Sequence, residues 1–153
     1  MSMDSVLSAP ALLIRTFEKE DLESVTSLMR ELNYPTTPSV MRERMEMMAS
    51  NPLYCNMIAE LDGKVVGLMM LRQVKSFVKT GMVTQITSLI VTSSCRYQGI
   101  GKRLVSGAEQ WGRQQGSNLL FLTSGNREGE DPAHAFFEHI GFKKARYQFV
   151  KEL

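Results

Sequence analysis

A glycine-containing segment flanked by basic residues is the clearest candidate for binding chemistry in this sequence. It reads T-S-S-C-R-Y-Q-G-I-G-K-R-L over residues 92–104, between a strand-like and a helix-like run. Backbone N–H groups at a helix N-terminus lack internal partners, and the helix dipole adds positive potential there. Gly99 and Gly101 have no Cβ to keep phosphate oxygens away. Arg96 and Lys102 add positive charge, so the segment predicts a phosphate-binding loop.

Two familiar phosphate motifs do not fit this loop. Walker A needs glycine at the position of Arg96 and serine or threonine at that of Arg103. The dinucleotide fingerprint needs a third glycine where Leu104 stands, so a Rossmann-type nucleotide site is disfavoured. From the loop alone, a glycine-containing turn that binds no ligand is the remaining alternative.

The elements that would hold the loop alternate between strand and helix patterns. Strands are predicted at 11–16, 56–61, 65–73, 82–91, 119–123 and 147–150. Helices are predicted at 18–33, after Thr37-Pro38, at 101–115 and after Asp131-Pro132. Asp62-Gly63 predicts a hairpin, and Gly116 and Gly141 are predicted to end helices. This order predicts an α/β (α+β) fold with a mixed, mostly antiparallel sheet and helices on both faces.

Apolar stripes at helical spacing predict which side chains face the core. The predicted inward positions are Leu22, Val25, Leu28, Met29 and Leu32 in the first helix, Val40, Met41, Met45 and Met48 in the second, and Ile100, Leu104, Ala108 and Trp111 in the third.

Composition limits the function classes. The 153 residues suit one domain, and a net charge of +2 without basic runs gives no reason to expect nucleic acid. Cys55 and Cys95 have neither metal-ligand nor redox spacing, so we expect no metal and a reducing setting. No secretory leader and no apolar run of membrane-spanning length is apparent. The expected location is the cytoplasm, away from membranes.

Three segments resemble the GNAT family of N-acetyltransferases. R-Y-Q-G-I-G at 96–101 resembles the family's acetyl-CoA signature, Q/R-x-x-G-x-G/A. S-L-I-V at 88–91 is similar to its fourth strand, and A-H-A-F-F-E-H-I-G-F at 133–142 to its late helix. The resemblance is strongest over 82–142. It implies one GNAT domain over residues 1–153, with 1–10 as a loose N-terminal tail and with splayed fourth and fifth strands.

The resemblance also implies acetyl-CoA as co-substrate, with its pantetheine arm between the splayed strands. A strand N–H near Leu89–Ile90 would stabilise the oxyanion formed when an amine attacks the thioester. The implied cofactor-binding residues are Leu89, Ile90, Val91, Arg96, Tyr97, Gln98, Gly99, Ile100, Gly101, Lys102, Asn126 and Phe137. The acceptor would be an amine on a small molecule or a protein, and family members often form homodimers.

Two departures from the family pattern affect catalysis. Phe137 occupies the usual general-acid tyrosine position, and Thr87 occupies the usual glutamate base position, with Gln85 nearby. None of the three side chains is a useful acid or base near neutral pH. Conceivable substitutes, among which no spacing argument selects, are Tyr97, Ser124, His134 and Tyr147. A non-catalytic acyl-CoA sensor or regulator with the same fold is therefore the alternative function.

Overall fold

A computed structural model describes residues 11–76, 81–123, 132–145 and 149–153 of the chain. The strands are Leu12–Thr16 (β1), Tyr54–Leu61 (β2), Lys64–Lys75 (β3), Met82–Val91 (β4) and Leu120–Leu122 (β5). The helices are Leu22–Glu31 (α1), Pro38–Ala49 (α2), Ile100–Gln114 (α3) and Pro132–His139 (α4). The chain divides into two compact units, residues 1–122 and 123–153, which are described separately.

The first unit is built on a five-stranded sheet in the order β1-β2-β3-β4-β5. Strands β1 to β4 pair antiparallel with their neighbours, and β5 runs parallel to β4. Asp62 (φ 50°) and Gly63 (φ 83°) both have positive φ between β2 and β3, as a two-residue hairpin requires. The predicted mixed, mostly antiparallel sheet is confirmed.

Helices cover both faces of the sheet, as predicted. On one face, Ile58, Leu68 and Ile90 form a core cluster with buried residues of α1 and α2. Side chains alternate between the faces of a strand, so Gly67 belongs to the opposite face. A Cβ built on Gly67 would lie 3.2 Å from the Leu104 side chain of α3. The missing side chain thus lets α3 pack closely on that face.

Most predicted inward positions are buried or half-buried, but Leu32 and Val40 are exposed. Leu32 is 49% exposed because α1 ends at Glu31 and Leu32 lies beyond the last helical residue. Val40 is 39% exposed in the first turn of α2, where Met41 and Met45 face the core instead. The predicted apolar faces were wrong at these two positions. They continued to the ends of the helices, where the side chains no longer pack against the sheet.

The second unit contains α4, followed by Gly141 with φ 104°. Phe149 and Val150, the described part of the predicted last strand, are not in a strand and are 94% and 81% exposed. The strand prediction was wrong for these two residues because strand propensity counts only where a neighbouring strand offers hydrogen bonds. Tyr147, Asp131 and the predicted N-terminal tail lie outside the described residues.

Candidate active site

The two halves of β4 have different neighbours. Strand β5 pairs only with residues 84–86, so no described strand pairs with 87–91 on that side. Thr92 N–H donates to the Val66 carbonyl of β3 at 2.8 Å. Because backbone groups of successive residues point to opposite strand edges, Val91 and Leu89 turn their N–H and C=O groups away from β3. This open edge of β4 offers main-chain hydrogen bonds to an extended ligand.

Ile90 lies between these two residues and faces the other way. Its side chain is 2% exposed within the α1–α2 core, and its backbone groups point to β3. The family resemblance implies three strand residues in cofactor binding. Of these, Leu89 and Val91 line the open edge, and Ile90 packs into the core beside it.

A β-bulge at Thr87 marks the beginning of the open half of β4. In the β3–β4 register Met70 pairs with Ser88 and Leu71 with Ile86, so Thr87 is the extra residue. Its hydroxyl donates to the Met70 carbonyl at 3.1 Å. Gln85, two residues earlier, accepts a hydrogen bond from Arg72 Nε at 2.7 Å. Both side chains are engaged in hydrogen bonds, and neither is a base at neutral pH.

The loop after β4 leads into α3, whose first backbone N–H groups have no acceptor within the helix. Gly99 is the N-cap, with φ 80° and no side-chain cap, and Arg103 N–H makes the first helical bond to its carbonyl at 3.1 Å. The N–H groups of Ile100, Gly101 and Lys102 therefore have no acceptor within the helix. No atom of the described residues lies within 4 Å of a Cβ built on Gly99. Such a helix N-terminus can bind an anion, and the phosphate site expected here stays a prediction.

Arg96, Tyr97 and Gln98 form the exposed rim of this loop. Tyr97 has φ 65°, a left-handed conformation that bulky residues rarely adopt, and its side chain is fully exposed. Strained backbone of this kind concentrates at ligand-binding sites. Arg96 is extended, and its Nε lies 3.5 Å from the Val91 carbonyl at the open edge of β4. The guanidinium thus stands between the open edge and the start of α3.

Glu31, the last residue of α1, fixes the backbone of the two residues that follow β4. Its carboxylate accepts hydrogen bonds from the Thr92 hydroxyl at 2.7 Å and from Ser93 N–H at 3.0 Å. These bonds, helped by the charge of Arg96, lower the pKa of Glu31 below its usual range. Sequence reasoning missed Glu31, because its partners lie 61 and 62 residues away. No local spacing signals such a contact.

An open depression of about 710 Å³ lies beside the same loop, next to Thr92 and Ser94. Its arginine, Arg15, is already paired with Asp21 at 2.7 Å and with Glu60 at 3.1 Å. The Arg15 hydrogen bond lowers the pKa of Asp21, which keeps that carboxylate ionised. A diphosphate would meet negative charge here, so the depression is a less favourable place for phosphate than the predicted one at the α3 N-terminus.

The remaining predicted site residues belong to the second unit. Phe137 of α4 packs its ring against Phe136 and Phe142, with centroids 5.3 and 5.7 Å away. It is an apolar residue in an aromatic cluster and has no proton to donate. Asn126 and Ser124 lie outside the described residues, and His134 is half-buried on α4. Within the described ranges, no cluster of acidic, histidine or cysteine residues could hold a metal, and no helix is long and apolar enough to cross a membrane.

With this geometry established, comparison with known families is decisive. Residues 22–142 match the model of the acetyltransferase (GNAT) family, which is most of the chain. The chain belongs to the GNAT acetyltransferase family. The family resemblance drawn from the loop, the fourth strand and the late helix is therefore confirmed, as is the prediction of an N-acetyltransferase whose acceptor is unknown.

Relatives and solved structures agree with this assignment. The chain is 28% identical to the aminoalkylphosphonate N-acetyltransferase of Salmonella typhimurium over 149 residues, covering 94% of this chain and 93% of that protein. It is 34% identical to rat N-acetyltransferase family 8 member 2 over 61% of this chain and 40% of that protein. A solved structure of aminoglycoside N-acetyltransferase AAC(6')-Iy with CoA has a TM-score of 0.82 at 19% identity, covering 95% and 97% of the two chains. That last likeness establishes the fold.

Proposed function

We propose that this GNAT protein transfers an acetyl group from acetyl-CoA directly to a primary amine. The observation that supports this most strongly is the continuity of two features. The open edge of β4, at Leu89 and Val91, leads directly to the N–H groups at the start of α3 that have no acceptor within the helix. A ligand with an amide-containing arm and a diphosphate fits this sequence of main-chain donors and acceptors.

In this proposal the pantetheine amides pair with the open edge, and the pyrophosphate rests on the N–H groups of Ile100, Gly101 and Lys102. The N–H of Leu89 stabilises the oxyanion, because the N–H of Ile90 points to β3. The amine nitrogen forms a bond to the thioester carbonyl carbon, the C–S bond breaks, and CoA leaves as thiolate. Much of the acceleration comes from holding the two reactants together.

In this proposal the protons move through water. Thr87 and Phe137 occupy the usual base and acid positions, and neither side chain exchanges protons near neutral pH. Water can take the proton of the attacking amine and protonate the departing thiolate. The same observation favours the second candidate, an acyl-CoA-binding regulator that does not transfer the acetyl group.

For the acceptor, we propose a small molecule rather than a protein. The support is the relative from Salmonella typhimurium, which matches nearly the whole chain and is named for acetylating aminoalkylphosphonates. Small aminoalkyl acids are therefore the first acceptors to examine.

Thiol release from acetyl-CoA, measured with a panel of small amines, tests the proposal. We expect turnover with at least one acceptor, and calorimetric CoA binding in the same preparation. CoA binding without turnover of any amine, and without gain in Phe137→Tyr, would favour the regulator. Absence of CoA binding would contradict both candidates.

A further inference from the structure

Polar side chains lie on the sheet face that α1 and α2 cover. They belong to Asn56 on β2, Arg72 on β3 and Gln85 on β4. Ile58 and Leu68 contribute to the core under these helices. Asn56 and Arg72 lie two and four residues from them, and even spacing keeps side chains on one face. We call these three residues the Arg72 patch.

Arg72 is held in a fixed place within this patch. It pairs with Gln85 in the β3–β4 register, and its Nε donates to the Gln85 Oε1 at 2.7 Å. The residue is exposed, and within the described residues its two terminal amino groups have no hydrogen-bond partner. A guanidinium fixed through one nitrogen presents its remaining donors in a fork that suits carboxylate, phosphate or phosphonate oxygens.

Asn56 adds a second polar group without a partner. The residue is 7% exposed, and its side-chain carbonyl oxygen has no hydrogen-bond donor within the described part of the chain. It pairs with Met70, two residues from Arg72 along β3, which makes Asn56 and Arg72 diagonal neighbours about 7–8 Å apart, with their Cβ atoms somewhat closer. A buried carbonyl without a donor is unfavourable, so an N–H or O–H donor from a bound molecule would be favourable there.

The patch lies a short distance from the open half of β4. Gln85 precedes the bulge residue Thr87 by two positions and Leu89 by four. At about 3.3 Å per residue, the Arg72 row is roughly 10–13 Å along the strand from Leu89. Because Arg72 is hydrogen-bonded to Gln85, its guanidinium stays in this row. A small molecule whose acid contacts Arg72 and whose amine lies a few bonds away spans this distance, counting the contacts at its two ends.

We propose that Arg72 binds an anionic group carried by the acceptor, which makes the acceptors small amines bearing a phosphonate, phosphate or carboxylate group. This inference rests on the proposed transferase function and specifies its substrate class. The fork of Arg72 fixes the acid, and the Asn56 carbonyl can accept a hydrogen bond from an O–H or N–H group of the same molecule. Arg72 is a specificity-determining residue in this account, away from the acetyl group.

The test compares charged and neutral acceptors of equal chain length. Acetylation of 2-aminoethylphosphonate, β-alanine and n-propylamine is measured for the wild type, Arg72→Gln and Arg72→Lys. Arg113→Gln, an exposed arginine of α3 paired with Glu109, serves as the control. In Arg72→Gln we expect kcat/KM for the two acids to fall about tenfold or more, and for propylamine to change less than about threefold. Arg72→Lys should retain part of the preference, and the KM for acetyl-CoA should not change.

Three outcomes would overturn the inference: a wild-type preference for propylamine, an equal loss on all three acceptors in Arg72→Gln, or an equal loss in Arg113→Gln. If no amine is acetylated, the transferase proposal fails separately. Calorimetric binding of 2-aminoethylphosphonate to CoA-loaded wild type and Arg72→Gln then decides the inference: weaker binding in the variant supports it, and equal binding or none contradicts it. Thermal melting of each variant shows whether it is folded.

Discussion

The two halves of β4 belong to one strand but differ in the hydrogen-bond partners along one edge. In the first half, residues 84–86 pair with β5, and Thr84 is 1% exposed. The Thr84 hydroxyl joins a ring of hydrogen bonds with Gln73 and Ser117, at 2.7 to 2.8 Å. In the second half, Leu89 and Val91 turn their backbone groups to an edge with no described strand beside it.

Because of this difference, we expect the first half of the strand to contribute stability and the second half to bind a ligand. The first half is satisfied by the protein itself, so changes there should alter the free energy of unfolding. The second half leaves main-chain groups for a ligand, so changes at its exit should alter CoA affinity.

The largest effect is expected at Gly99, beyond the open half. In Gly99→Val a branched side chain occupies the open space in front of the α3 N-terminus, where we place the phosphate. We expect CoA to bind about 30-fold more weakly by calorimetry, which corresponds to about 2 kcal/mol.

Gly116→Val is the matched control for this change. Gly116 follows the other end of α3, has φ 84° against 80° at Gly99, and is equally open around its missing Cβ. Both variants share the cost of a side chain at positive φ, about 1–2 kcal/mol of stability. Equal CoA affinities in the two variants would show that Gly99 affects binding through strain alone.

The next effect is expected at Thr84, in the closed half. Thr84→Val removes a hydroxyl and leaves Gln73 and Ser117 without their shared partner, which should lower the free energy of unfolding by about 1–3 kcal/mol. Urea denaturation measures this loss, with Thr87→Val as the comparison. The exposed Thr87 hydroxyl makes one bond to a carbonyl, so its loss should cost less. A large drop in CoA affinity for Thr84→Val, with an unchanged free energy of unfolding, would contradict the claim that the first half of β4 contributes stability and not binding.

A smaller effect is expected at Glu31, which fixes the exit of the open half. Glu31→Ala removes the acceptor for Thr92 and Ser93, and we expect about fivefold weaker CoA binding as the loop loses its anchor. Glu31→Gln keeps one acceptor oxygen without charge and should lie between Ala and wild type. Removing a negative charge near a diphosphate would by itself strengthen binding. Tighter binding by Glu31→Ala would therefore mean that electrostatics outweighs the anchor.

The smallest effect is the acid dependence of this anchor. Hydrogen bonds from Thr92 and Ser93 lower the pKa of Glu31 below its ordinary 4.5. A carboxylate with a lowered folded-state pKa stabilises the fold fully above its unfolded pKa and loses that contribution as pH falls through the folded value. The difference in melting temperature between wild type and Glu31→Gln should be constant from pH 7 to about pH 5 and should shrink below pH 4. A difference that grows on acidification would contradict the assignment.

Local patterns explain how much of this arrangement could be predicted. Asp62-Gly63, Thr37-Pro38 and Gly116 each act on their immediate neighbours, and the structure has a turn, a helix start and a helix end at these places. The glycines after β4 belong to the same class of signal, and the structure has the left-handed turn and the helix start there, at Gly99 and Ile100.

What the sequence could not predict depends on distant partners. The bulge at Thr87 arises from the register of β3 against β4. The anchor at Glu31 connects the end of α1 to a loop 61 residues later, and Arg72 meets Gln85 across two strands. Such contacts depend on tertiary placement and produce no periodicity, so hydrophobic patterns cannot reveal them.

The most direct test of the account follows individual backbone amides by ¹⁵N–¹H NMR during two titrations. One titration uses CoA, and the other uses S-acetylpantetheine, which has the arm and thioester but no diphosphate. We predict that the amides of Gly99 and Gly101 shift strongly with CoA and little with S-acetylpantetheine, while those of Leu89 and Val91 shift with both. Glycine amides that stay in place with CoA, or respond equally to the two compounds, would show that the α3 N-terminus does not hold the diphosphate.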